Sequence, residues 1–179
     1  MKQVKLFDII RSAGGGGIVA ALAAKAGIEP GEAEEALGAL LPEIGRAIRR
    51  TEESGSGAAA VSAAMHDERY ARYLEQPDAL GEPRAVADGE RVLEDVLDDD
   101  ERGDLIRRVA AAIGPNEGEV RTMLPLVAAL AMAALGEKLR NPSPRIPWFG
   151  TRPGDRFSAP LLNALTALFE QDEDEPKDR

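Results

Sequence analysis

The side chains best equipped for chemistry are few and scattered. His66 is the only histidine, and Asp67 follows it directly. A histidine oriented by a carboxylate can serve as a general base. No serine stands at a spacing that completes a nucleophilic set, and there is no cysteine, so thiol nucleophiles, thiolate zinc sites, iron–sulfur clusters and disulfides are all excluded. His66 instead reads as the last residue of a helix, favoured there by the dipole, with Asp67 facing elsewhere. Asp98, Asp100 and Gly103 stand at positions 1, 3 and 6 of a calcium-loop pattern, with Leu105 at position 8. The pattern then fails, because Arg102 takes a ligand position and Val109 stands where the bidentate Glu is needed. The acids between residues 88 and 104 therefore predict a solvated helix face and an inter-helix loop. Gly14–Gly17 precede a helix and offer backbone N–H groups to an anion. Neither the Lys-Ser/Thr of a P-loop nor the strand and third glycine of a dinucleotide motif accompanies them, and the run predicts a flexible hinge. No catalytic, cofactor-binding or metal-ligating residue is assigned, and no cofactor is expected.

The segment 140–157 has a composition of its own, rich in proline and arginine and carrying the only tryptophan. Pro144, Arg145, Pro147, Trp148 and Phe149 form a candidate interaction arm, with the Pro-x-x-Pro spacing of polyproline recognition. Its aromatic pair has two readings: a clasp on the chain's own bundle, which is favoured, or a docking arm for a partner. Self-association through the arm is one form of the second.

Charge and hydropathy narrow the classes further. Across 179 residues, 22 Lys and Arg oppose 32 Asp and Glu, a net charge of -10 that repels phosphate backbones and argues against a nucleic-acid partner. The longest apolar run, Met123 to Leu135, holds 13 residues and is interrupted by Pro125. A membrane-spanning helix needs about 20, so a buried helix is predicted. Asp8 and Arg11 break the apolar residues of the N-terminus, which predicts no signal peptide, no membrane association and a cytoplasmic location.

The elements that must position these residues are helical. Ala33, Ala36, Leu37, Leu40, Leu41, Ile44, Ala47 and Ile48 follow the i, i+3, i+4, i+7 spacing, with Glu32, Glu34, Glu35 and Glu43 on the other side. Pro30 suits the first turn of that helix, while Pro42 predicts a kink or a corner between two short helices. Ile18, Leu22 and Ala26 share a face. Ala58, Val61 and Met65 begin a helix that Tyr70, Tyr73 and Leu74 extend. Val92, Leu93, Val96 and Leu97 make a short stripe, and Leu105, Ile106, Val109, Ala110 and Ile113 a longer one. Residues 123–139 are apolar nearly all round, the mark of a central helix. Leu161, Leu162, Leu165, Leu168 and Phe169 mark a last helix, and the acidic residues 170–179 a solvated tail. No stretch alternates with period two. The prediction is an all-α fold, a compact multi-helix orthogonal bundle. Its core spans residues 18–139, with 1–17 as an N-terminal segment and hinge.

Two stretches share a layout of helix, glycine turn, acidic helix start and Leu-Pro, one running from Leu22 to Ile48 and the other from Val109 to Leu130. They predict two related helical halves, about 18–77 and 88–139. The ordered series Leu6-Phe7-Asp8, Gly14–Gly17, Gly27-Ile28-Glu29-Pro30, Ala39-Leu40-Leu41-Pro42, Tyr73-Leu74-Glu75-Gln76-Pro77, Gly89-Glu90-Arg91-Val92-Leu93 and Met123-Leu124-Pro125-Leu126 resembles the bacterial domain-of-unknown-function family 937. The resemblance implies a compact multi-helical bacterial domain and no particular activity. Together these readings predict a non-enzymatic protein-interaction or scaffolding module with an unidentified protein partner. The alternative is a small-molecule or anion-binding regulatory domain using the Gly-rich helix start.

Overall fold

Apolar residues at helical spacing must find a common interior, and the longest all-apolar helix is the natural wall for the rest. The computed structural model describes residues 6–140 and shows that arrangement. Eight α-helices follow one another: α1 (Leu6–Ser12), α2 (Ile18–Ala26), α3 (Pro30–Ser54), α4 (Ala58–His66), α5 (Glu68–Glu75), α6 (Pro83–Val96), α7 (Asp99–Ile113) and α8 (Glu117–Arg140). Two 3-10 turns, Ala13–Gly16 and Pro77–Gly81, join α1 to α2 and α5 to α6. Among the described residues there is no strand, and the all-α bundle holds. Helix α8 packs against all seven other helices, most extensively α6 and α5. It is buried on every side from Met123 to Gly136. By length and composition it could cross a membrane, but 78% of its apolar window lies inside the bundle.

The three longest buried-face helices begin in one way. Glu29 N–H donates to Glu32 Oε2 at 3.1 Å, Asp98 N–H to Glu101 Oε2 at 3.3 Å, and Asn116 N–H to Glu119 Oε2 at 2.7 Å. Asp98 and Asn116 also accept from N–H groups of the first turn, which satisfies donors that have no partner within the helix.

Several expectations are corrected. Pro42 does not divide α3, which runs unbroken for 25 residues. An internal proline costs about 3 kcal/mol, whereas each of Leu37, Leu40, Leu41, Ile44 and Ile48 gains roughly 1.5–3 kcal/mol from burial, so packing wins. The helix begun at Ala58 does not extend through Tyr70. Asp67 ends α4 and caps α5, accepting from Arg69 N–H at 3.0 Å, so the chain turns there. The core also reaches back beyond residue 18, since Leu6 and Ile10 are fully buried in it.

The Gly14–Gly17 run forms a tight turn between α1 and α2. It bends the chain by 88° between α1 and α2, with Gly14 at φ +57°. A Cβ on Gly14 would stand 2.4 Å from Pro77 Cγ, so the turn is seated against the Pro77–Gly81 turn. The arm residues Pro144, Arg145, Pro147, Trp148 and Phe149, the segment 158–169 and the tail lie outside the described residues.

Candidate functional site

Two polar constellations stand out, one inside the bundle and one on its surface. The first is built on α6 where it crosses α8. Gly89 faces the backbone of Pro125 so closely that a Cβ there would lie 1.8 Å from the Pro125 carbonyl oxygen. That approach carries the neighbouring Asp88 into the interior, where it is 2% exposed. Tyr73 of α5 donates its hydroxyl to Asp88 Oδ2 at 2.7 Å, and Tyr70 donates to the Asp88 carbonyl at 3.2 Å. Three arginines close over the carboxylate from outside: Arg69 at 3.6 Å, Arg84 at 3.8 Å and Arg91 at 3.9 Å. A buried carboxylate held by a hydroxyl and flanked by cations is a satisfied structural centre. Burial, reinforced by the Asp88 carboxylate, pushes the Tyr73 hydroxyl well above its ordinary range, and burial raises Tyr70 likewise. Both phenols are therefore held protonated, the wrong form for a nucleophile or base.

The second constellation is a groove of about 540 Å³ between α3 and α7. Arg46, Arg49 and Arg50 line it from α3 and Arg107 and Arg108 from α7, over a floor of Leu97 and Leu105. These five are a third of the 15 Lys and Arg among residues 6–140. The groove's acids are fewer. Glu43 pairs with Arg46 and, at 3.5 Å, with Arg108 across the groove. Glu101 meets Arg50 at 2.9 Å, and Asp104 pairs with Arg107. Five guanidiniums against three carboxylates leave a locally positive strip on a chain whose net charge is -10. The cations remain accessible, with the side chains of Arg50, Arg107 and Arg108 each about 60% exposed.

The residues singled out in the sequence take other roles. His66 ends α4 as expected, and its Nδ1 donates to the Ser62 carbonyl at 2.8 Å. Asp67 faces Arg69, whose Nε donates to it at 2.7 Å. That hydrogen bond holds the Asp67 carboxyl below the usual range and raises the Arg69 guanidinium in turn. Asp98 caps α7, while Asp100 and Gly103 lie within that helix, so no loop forms there. Among the described residues no group of three or more His, Asp or Glu is placed to hold a metal ion. At the Gly-rich turn the Gly17 N–H donates to the Gly14 carbonyl at 3.2 Å, so that donor is already engaged.

Sequence reasoning missed both constellations. Asp88 sits in an acid-rich stretch that reads as solvent-facing, and the groove arginines come from segments about 60 residues apart. The usable signals were the i, i+3 pair Tyr70–Tyr73 and the clustering of Arg46, Arg49 and Arg50 in an acidic chain.

No curated protein and no solved structure matches the chain. Residues 8–138, which hold both constellations, match the profile of a family described as bacterial protein of unknown function (DUF937), and the chain belongs to that family.

Proposed function

We propose that the protein is a non-enzymatic interaction module that takes acidic protein segments in the groove between α3 and α7. The observation that carries the reading is the convergence of five arginines on a concave strip of an acidic molecule. Guanidinium forks suit carboxylates bidentately, and Arg46, Arg50, Arg107 and Arg108 each carry further N–H donors for an incoming carboxylate beside the one they already bind. The excess of cations draws an acidic segment in, and the Leu97 and Leu105 floor receives its aliphatic stems. The non-enzymatic part is supported by how the reactive groups are engaged: both tyrosines held protonated, Asp88 bound by Tyr73, and His66 Nδ1 tied to a backbone carbonyl. We place the module in the cytoplasm, where a bundle that encloses its own apolar helix needs no lipid.

A fluorescein-labelled decaglutamate titrated by fluorescence anisotropy tests the groove. Saturable binding that weakens at least fivefold in Arg107→Gln/Arg108→Gln and fades in high salt is the expected result. Affinity unchanged by those substitutions overturns it.

A further inference from the structure

We infer that the surface over Asp88, where Arg69 of α5 meets Arg84 and Arg91 of α6, is a binding site for a phosphoryl group, carried as free phosphate or as a phosphate monoester. The site shares no residue with the groove between α3 and α7. Its geometry follows from spacing. Arg84 and Arg91 stand four residues before and three residues after Asp88, so the three lie on one face of α6. Arg69 enters from the first turn of α5. Its Nη1 and the Nη1 of Arg91 approach Asp88 Oδ1 at 3.6 and 3.9 Å, and Arg84 Nε approaches Oδ2 at 3.8 Å. These are ion-pair distances, longer than a hydrogen bond, and the short bond to the carboxylate comes from Tyr73. Asp88 thus gathers three guanidiniums at one point while leaving their N–H donors available to another acceptor.

Charge is in surplus there. Asp67 engages Arg69 through Nε and Nη2, which leaves Nη1 on the Asp88 side. Among the described residues Arg84 and Arg91 have no carboxylate partner besides Asp88. The neighbouring acids Glu82 and Glu90 are taken by Arg72 and Arg102. Three cations therefore meet two carboxylates, and the one they share lies beneath them. The side chains of Arg84 and Arg91 are 57% and 65% exposed, while that of Asp88 is 3% exposed, so cations face the water and the acid faces the core. A dianion laid on the outer side would meet three guanidinium forks, which suit the several oxygens of a phosphoryl group better than the two of a carboxylate. The net charge of -10 does not oppose so small a ligand. Distant acids are screened over about 8 Å at physiological salt, so a phosphate senses the local cluster, whereas a nucleic acid would span the acidic surface as well.

Phenyl phosphate and inorganic phosphate titrated into the full chain by isothermal calorimetry at fixed ionic strength test the site, with benzoate as the carboxylate control. The expected result is saturable binding of phosphate, at least tenfold weaker in Arg84→Gln/Arg91→Gln and unchanged in Arg107→Gln/Arg108→Gln. Inorganic phosphate binding as tightly as the ester assigns the free ion, and a tighter ester assigns a phosphoryl group on an organic carrier. Far-ultraviolet circular dichroism checks the fold, and Arg91→Gln alone, expected to weaken binding severalfold, serves if the double variant loses helix. Benzoate binding as tightly as phenyl phosphate overturns the phosphoryl assignment. Equal weakening by both pairs of substitutions reduces the effect to diffuse charge and overturns the site, as does the absence of saturable binding to the unmodified chain.

Discussion

Tyr73 donates its hydroxyl to Asp88 at 2.7 Å inside a bundle whose other interior side chains are almost all apolar. The bond ties α5 to α6 and is the principal direct hydrogen bond to a charge placed out of water. Tyr73→Phe removes the donor and leaves the carboxylate to distant arginines. A hydrogen bond to a charged group contributes about 1.5–3 kcal/mol, which at this chain length lowers Tm by roughly 5–10 °C. Asp88→Asn keeps an acceptor for Tyr73 and should cost less. Thermal denaturation followed by circular dichroism orders the three proteins, and a Tyr73→Phe melt at the wild-type Tm counts against the assignment.

The two tyrosines of this centre are the only ones in the chain, which makes their titration readable. Both are raised above the ordinary phenol range of about 10, first by burial and then by Asp88. A group raised in the folded state contributes stability that is complete below its unfolded pKa and is lost as pH rises through the folded value. Alkaline difference spectroscopy should therefore show no phenolate step near pH 10 in the folded protein. Phenolate absorbance should appear only together with the loss of helix, at higher pH.

Glu52 is raised by burial too, but in a range that leaves its charged form populated at neutral pH. Its Oε1 is buried without a hydrogen-bond partner, and burial raises its carboxyl above the usual range. The charged form is then a liability at neutral pH, and the liability disappears as pH falls below the unfolded value of about 4.3. Glu52→Gln should melt higher than wild type at pH 7 and at the same temperature near pH 3. A lower Tm at neutral pH would show that the carboxylate is stabilising.

The crossing of α6 and α8 depends on the absence of a side chain at one position. Gly89→Ala would place its methyl 1.8 Å from the Pro125 carbonyl oxygen, an approach that only movement of one helix can relieve. A loss above about 3 kcal/mol is expected, with disturbance of the adjacent Asp88 centre. Gly31→Ala is the matched control, since nothing lies within 4 Å of its Cβ position in α3. It should be neutral or slightly stabilising.

Leu130 lies at 0% exposure on α8, and Leu130→Asp places a charge among apolar helices with no partner. No cooperative thermal transition is expected from that variant. A wild-type melt would mean that α8 is not the shared wall. Asp98→Ala removes one capping pair and should cost about 1 kcal/mol, whereas added calcium should leave the wild-type Tm unchanged.

What the sequence disclosed and what it withheld follow from the range of the interactions. Every apolar position read on the α3 stripe, from Ala33 to Ile48, is buried, because amphipathic spacing is a local signal. The all-round apolarity of residues 123–139 likewise identified the central helix. The seat of the Gly14 turn was not legible, because it lies against Pro77, some 60 residues later. Asp88 was hidden among acids that look alike along the chain, and only the fit of Gly89 on Pro125 selects it for burial. The break at Asp67 was hidden for the opposite reason: apolar spacing carries across it, and a single capping side chain decides. The arginine groove required two helices to meet. The arm and tail lie outside the described residues.

That α8 touches every preceding helix has a bearing on how the chain is made. Synthesis delivers α1 through α7 to the outside of the ribosome before the element against which all of them close. Until residues 117–140 emerge, the apolar stripes of α3, α6 and α7 have only one another to cover, and the nascent chain is a collection of half-faced helices. Folding of this domain is therefore gated by its last described helix rather than growing outward from its first. A nascent chain stalled before Glu117 would expose those stripes and be a substrate for chaperones and proteases.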